Sequence, residues 1–192
     1  MKKKLFRLYG HYAYLLFAIA SVFFAFYFIT YMSFSEINKI GILSGIYFMI
    51  FGLYEIFFFV FNLKIIANNE IYFFYGLYVF IMGLSQCLFQ SDYLLYIISI
   101  TVFFIEFVFV KISFDINDYN YSNNHSFYFT CTGGALVAIL FFFSPDFIIF
   151  FLMISIFGLS NFILFYSLHT SVKYKRYNNR INSLKYIEKN MD

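Results

Sequence analysis

Six long apolar runs, at residues 11–32, 40–63, 71–89, 93–112, 126–143 and 147–168, constrain this chain more than any other feature. Each holds 18 to 24 residues, against the roughly 20 that an α-helix needs to cross about 30 Å of hydrocarbon at about 1.5 Å per residue. A lipid interior offers the backbone no hydrogen-bond partner, so each run must satisfy its own amides as a helix. A transmembrane strand would be about ten residues of alternating polarity, which none of these runs is. Of the 192 residues, 62% are hydrophobic and 12% charged, about half the charge of an ordinary soluble domain. A globule of this size has too little interior to hide that much apolar surface from water. The chain is therefore read as an all-α polytopic membrane protein with six transmembrane helices.

Lys2, Lys3, Lys4 and Arg7 precede the first run, and Ala18-Ile19-Ala20 mimics a signal-peptide cleavage site. The apolar region of a signal peptide is about 7 to 15 residues, whereas this one continues through Ser21-Val22-Phe23-Phe24-Ala25-Phe26 to Met32. It reads as a retained anchor. Basic residues stay on the cytoplasmic side, and with six crossings twelve Lys and Arg fall on one side and Lys39 alone on the other. That predicts both termini in the cytoplasm, with the chain in the inner (plasma) membrane.

The outer connections are short: Ser33 to Lys39, Gln90 to Asp92, and Ser144-Pro145-Asp146. Short turns between antiparallel helices make neighbours of the helices they join, so residues 1–170 are expected to form one transmembrane domain of three hairpins (11–63, 71–112 and 126–168). The second helices of the hairpins resemble one another. Ile50-Phe51-Gly52-Leu53-Tyr54-Glu55 aligns with Thr101-Val102-Phe103-Phe104-Ile105-Glu106 and with Ile156-Phe157-Gly158-Leu159-Ser160-Asn161, at offsets of 51 and 55 residues. A period of this length is the mark of an internal repeat, and a triplication is expected.

A short turn with Pro, followed by a helix reading Gly-hydrophobic-x-Glu-Ile, carries a resemblance. Phe143-Ser144-Pro145-Asp146 leading to Ile156-Phe157-Gly158-Leu159, and Ile46-Tyr47-Phe48-Met49-Ile50-Phe51-Gly52-Leu53-Tyr54-Glu55-Ile56, resemble the HdeD family of bacterial six-helix membrane proteins over residues 11–170. The first two outer turns lack Pro, and Phe103 stands where a Gly is expected. The resemblance implies an integral inner-membrane protein associated with acid resistance and without an established catalytic site. It transfers no residue roles.

Glu55, Glu106 and the aligned Asn161 fall three or four residues past the middle of helices running in the same direction, at one depth about 5 Å from the midplane. An acid near a transmembrane helix centre costs about 2.5 to 3.5 kcal/mol to insert, which makes it a functional-site hypothesis by default. Desolvation favours the neutral acid, so Glu55 is expected to hydrogen-bond across the bundle as a carboxylic acid. The three residues read either as a proton- or cation-binding cluster or as interhelical polar glue, and Gln86 as further glue. Gly41, Gly45 and Gly52 share one helical stripe within about 40°, and Gly134 and Gly158 lie on other helices. Small residues let helix backbones approach where lipid gives no hydrophobic drive, so all five are expected at packing seams.

His11, His125 and His169 lie at helix ends without HxxxH or HExxH spacing, and Cys87 and Cys131 sit in apolar runs without metal-ligand spacing. No metal, cofactor or disulfide is expected, and no catalytic residue is assigned. The tail 171–192 carries a net charge of +4, with Tyr174, Tyr177, Ile181 and Leu184 at three- and four-residue spacing. It fits a basic amphipathic helix on anionic lipid headgroups better than a nucleic-acid site. The expected partners are the lipid bilayer, those headgroups and, as an open alternative, further copies of the chain in a homo-oligomer. The expected function is non-enzymatic, in acid or envelope stress tolerance. The alternatives are a six-helix substrate-binding subunit of a vitamin uptake system, or a proton- or cation-conducting protein using Glu55 and Glu106.

Overall fold

The computed structural model describes residues 11–31, 37–62, 69–88, 93–118 and 125–189. They form six helices: α1 Tyr12–Tyr31, α2 Ile37–Asn62, α3 Asn69–Leu88, α4 Leu94–Asp118, α5 His125–Phe143 and α6 Phe147–Lys189. Among the described residues there is no strand. The helices are apolar on all sides rather than striped, the pattern of helices that face lipid on one side and protein on the other. Polarity is arranged accordingly. Leu16, Phe23, Phe74, Phe129 and Phe143 point outward and exposed, while Glu55, Gln86, Ser99, Thr101, Glu106, Ser160 and Asn161 are buried. That inversion of a soluble fold suits a bilayer as solvent, and the chain is a polytopic helical membrane protein.

Five helices contain apolar spans of membrane-crossing length: Tyr12–Thr30, Asn38–Phe58, Leu94–Ile112, His125–Phe143 and Phe147–His169. In α3 the described apolar stretch is Phe73–Leu88, and Phe89, the last residue of the span expected at 71–89, lies outside the described residues. The tail is not a separate element, because α6 continues without a break for 43 residues; its side chains beyond residue 169 lie outside the described ones.

Successive helices are antiparallel, and the three outer turns do join neighbours. The last turn shows why: the Asp146 carboxylate accepts the Ile148 amide at 2.8 Å, an N-cap that satisfies one of the orphan donors at the start of α6. The closest packing, however, runs between hairpins rather than within them. Each second helix lies along the first helix of the following hairpin, α2 on α3 and α4 on α5, and the ring closes with α6 on α1. Helix α1 meets its own hairpin partner α2 through long aromatic side chains instead, with the Phe17 ring against Tyr47, Phe51 and Tyr54.

Glycine explains the tightest of these seams. On α2 and α3, Gly45 faces Gly83 and Gly52 faces Gly76; a methyl group at Gly52 would stand 2.5 Å from the Phe80 amide nitrogen and 2.7 Å from the Gly76 carbonyl. Gly41 instead meets the Leu94 side chain, Gly134 meets Glu106, and Gly158 meets Ser21 and Ala18 of α1. The five glycines singled out in the sequence all lie at helix contacts. Gly76 and Gly83 complete the α2 seam, and their seven-residue spacing matches that of Gly45 and Gly52 in the opposite direction.

The second helices of the three hairpins meet at the centre. Phe51 of α2, Phe109 of α4 and Phe157 of α6 touch pairwise, with ring centroids 5.8 to 6.3 Å apart. Around this aromatic trio lie the buried polar groups.

Candidate functional site

Glu55 lies one helical turn beyond Phe51 on α2, Asn161 one turn beyond Phe157 on α6, and Glu106 three residues before Phe109 on α4. The Phe51 and Phe157 contact puts Glu55 and Asn161, each four residues further on, near one level, and the Ser160 hydrogen bond brings Glu106 beside Asn161. All three are completely buried. The three make no hydrogen bond to one another among the described residues.

Each is held differently. Glu106 faces the α4, α5 and α6 corner, where the Ser160 hydroxyl donates to its two carboxyl oxygens at 3.0 and 2.9 Å. The Cys131 thiol lies against the same carboxyl, and Gly134 leaves the space that the carboxyl occupies, since a methyl there would come within 2.7 Å of it. Glu55 faces α1, where the Tyr14 hydroxyl donates to its Oε2 at 3.2 Å. Asn161 turns its Nδ2 back to the Phe157 carbonyl at 2.9 Å, the local side-chain to backbone bond common for polar residues in helices.

Among the described residues, three buried polar atoms find no hydrogen-bond partner: Glu55 Oε1, Asn161 Oδ1 and the Tyr75 hydroxyl. Tyr75 comes from α3, next to Gly76, and is placed by the glycine seam that presses Gly76 against Gly52 and Ile56 of α2. Its hydroxyl is within electrostatic reach of both the Glu55 and Glu106 carboxyls.

A second polar tie lies nearer the Pro145 end. Ser44 of α2 donates to Gln86 Oε1 at 3.0 Å, and Gln86 Nε2 donates to Thr101 of α4 at 3.2 Å. Gln86 thus fastens α3 to two neighbours, as interhelical glue should. A cavity lined by Ser21, Ser44, Tyr47, Phe48 and Phe157 adjoins this region. There Ser21 and Tyr47 pair their hydroxyls at 2.9 Å, and Tyr47 also donates to the Phe17 carbonyl at 3.2 Å.

The histidines divide. His11 Nε2 and His169 Nδ1 meet at 3.1 Å across α1 and α6, with the His11 ring stacked on Phe165. His125 begins α5 and is exposed. Among the described residues no group of three or more His, Cys, Asp or Glu converges as a metal site would require.

Tyr14, Tyr75, Cys131 and Ser160 were not expected beside the acids from the sequence. Ser160 could have been, since it precedes the Asn161 that aligns with both glutamates. Tyr14, Tyr75 and Cys131 lie on first helices, whose neighbours only the packing reveals. Comparison with protein-family models, with curated proteins and with solved structures found no match to this chain.

Proposed function

We propose that this protein is a non-enzymatic integral membrane protein whose buried acids, Glu55 and Glu106, take up and release protons within the bilayer. The observation that carries the reading is that both carboxyls are completely buried in a lipid-facing bundle and that their described partners are hydroxyl and thiol groups. Such a carboxyl is tolerable in its neutral form and costly in its ionised form. A change of protonation therefore changes the charge inside the bundle, and with it the free energy of any rearrangement that lets in water or a counter-ion.

An acid-tolerance role, in the inner membrane with both termini cytoplasmic, is consistent with this chemistry. Its other support is the resemblance of Phe143-Ser144-Pro145-Asp146 and Gly52-Leu53-Tyr54-Glu55 to the HdeD pattern. Proton exchange by a buried acid does not need a ligand pocket, which favours this reading over a substrate-binding transporter subunit.

The test is proton flux into liposomes after an acid pulse, with purified wild type beside Glu55→Gln and Glu106→Gln. Flux or proton uptake that falls in both Gln variants, while their thermal stability holds, supports the proposal. Wild-type and variant vesicles that behave alike would make the carboxyls interhelical glue.

A further inference from the structure

The three unpartnered oxygens are distributed in a way that identifies what completes them. Glu55 Oε1 and Asn161 Oδ1 are both acceptors, and when Glu55 is ionised they cannot satisfy each other. The Tyr75 hydroxyl has a single hydrogen to give, so it can satisfy one of the two acceptors and not both. The neighbouring hydroxyls are committed, Tyr14 to Glu55 Oε2 and Ser160 to Glu106, and Asn161 Nδ2 already gives one of its two hydrogens to the Phe157 carbonyl. The contact between the Phe51 and Phe157 rings, with centroids 5.8 Å apart, places Glu55 and Asn161 at one level on facing helices. The Gly52 and Gly76 contact places Tyr75 at the same level of α2. One species that offers two hydrogens and accepts one closes this account.

We propose that Glu55 Oε1, Asn161 Oδ1 and the Tyr75 hydroxyl bind one ordered water molecule, which accepts from Tyr75 and donates to the other two. Buried waters typically make about three hydrogen bonds to otherwise unsatisfied polar groups, and a site for one needs two to four polar partners. The same water serves both protonation states of Glu55. When the carboxyl is ionised the water donates to Oε1. When Oε1 carries a proton the water turns, accepts from it, and still donates to Asn161.

The probe is water itself. Infrared spectra of the full chain in lipid nanodiscs, in ordinary water and in water enriched in oxygen-18, isolate the stretching bands of internal water. A band that moves with the isotope, and that shifts in Tyr75→Phe, Asn161→Leu and Glu55→Gln but not in Thr30→Ala, supports the site. Tyr75→Phe removes a single oxygen and so stays informative if Asn161→Leu fails to fold. The absence of an isotope-sensitive band, or one indifferent to all three substitutions, overturns it. A sodium titration at constant pH that displaces the band and perturbs the Glu55 carboxyl stretch would also overturn it, by showing that a monovalent cation takes the site. An isotope-sensitive band in a protein without proton flux would keep the water and sink the function proposed above; flux without the band would do the reverse.

Discussion

Replacing Gly52 by Ala should open the α2 and α3 seam, because the added methyl group meets only backbone. It would lie 2.5 Å from the Phe80 nitrogen, 2.7 Å from the Gly76 oxygen and 2.9 Å from the Phe80 Cα, where ordinary contact is about 3.5 to 4.0 Å. No rotamer can relieve this, so the helices must part locally by about 1 Å. A gap of that size forfeits about a quarter to a half of each dispersion contact across it, along a seam that also includes Gly45, Met49 and Gly83. Overpacking costs about 1 to 3 kcal/mol, and rigid backbone neighbours put this case at the upper end. The better helix propensity of Ala returns about 1 kcal/mol, which leaves a net loss of about 2 kcal/mol. Gly133→Ala is the matched control, since nothing lies within 4 Å of its added methyl, and it should gain up to about 1 kcal/mol. Reversible unfolding in mixed micelles, followed by circular dichroism, should therefore separate the two variants by about 3 kcal/mol. If they agree within about 0.5 kcal/mol, the scatter expected of inconsequential substitutions, the close approach of α2 and α3 is not what holds this seam.

Ser160→Ala should remove both hydrogen bonds to Glu106 at a cost of about 1 to 3 kcal/mol. It should raise the frequency of the Glu106 carbonyl stretch, and an unmoved stretch would contradict the geometry. Gln86→Leu breaks the links to Ser44 and Thr101 and should cost about 0.6 to 1.7 kcal/mol per link in the same unfolding assay. His11→Phe removes the bond to His169 at 3.1 Å and should cost about 0.5 to 1.5 kcal/mol in the same unfolding assay; an unchanged stability would show that the contact does not hold α1 to α6.

The helical membrane architecture was legible because lipid imposes so few solutions on an apolar run, and Glu55, Glu106 and Asn161 stood out as polar residues within such runs. The pairing of helices was not. Short turns fix which helices are near, whereas the width of the side chains between them fixes how near. Phe17, Tyr47 and Tyr54 hold α1 away from α2, while Gly45, Gly52, Gly76 and Gly83 draw α3 onto it. The partners of the acids were hidden for the same reason, since Tyr14, Tyr75 and Cys131 reach them from helices whose register against α2 and α4 exists only in the packed bundle. His11 and His169 are 158 residues apart in the chain, and nothing local announces their contact.

The protonation of Glu55 and Glu106 inside the bundle is tested most directly by infrared titration of the carboxyl carbonyl stretch in nanodiscs, across neutral and acid pH. The account predicts two stretches of protonated, buried carboxyls, one lost in Glu55→Gln and the other in Glu106→Gln, each changing reversibly with pH in the folded protein. Spectra with no such stretch, or with stretches that the Gln variants retain, would contradict it.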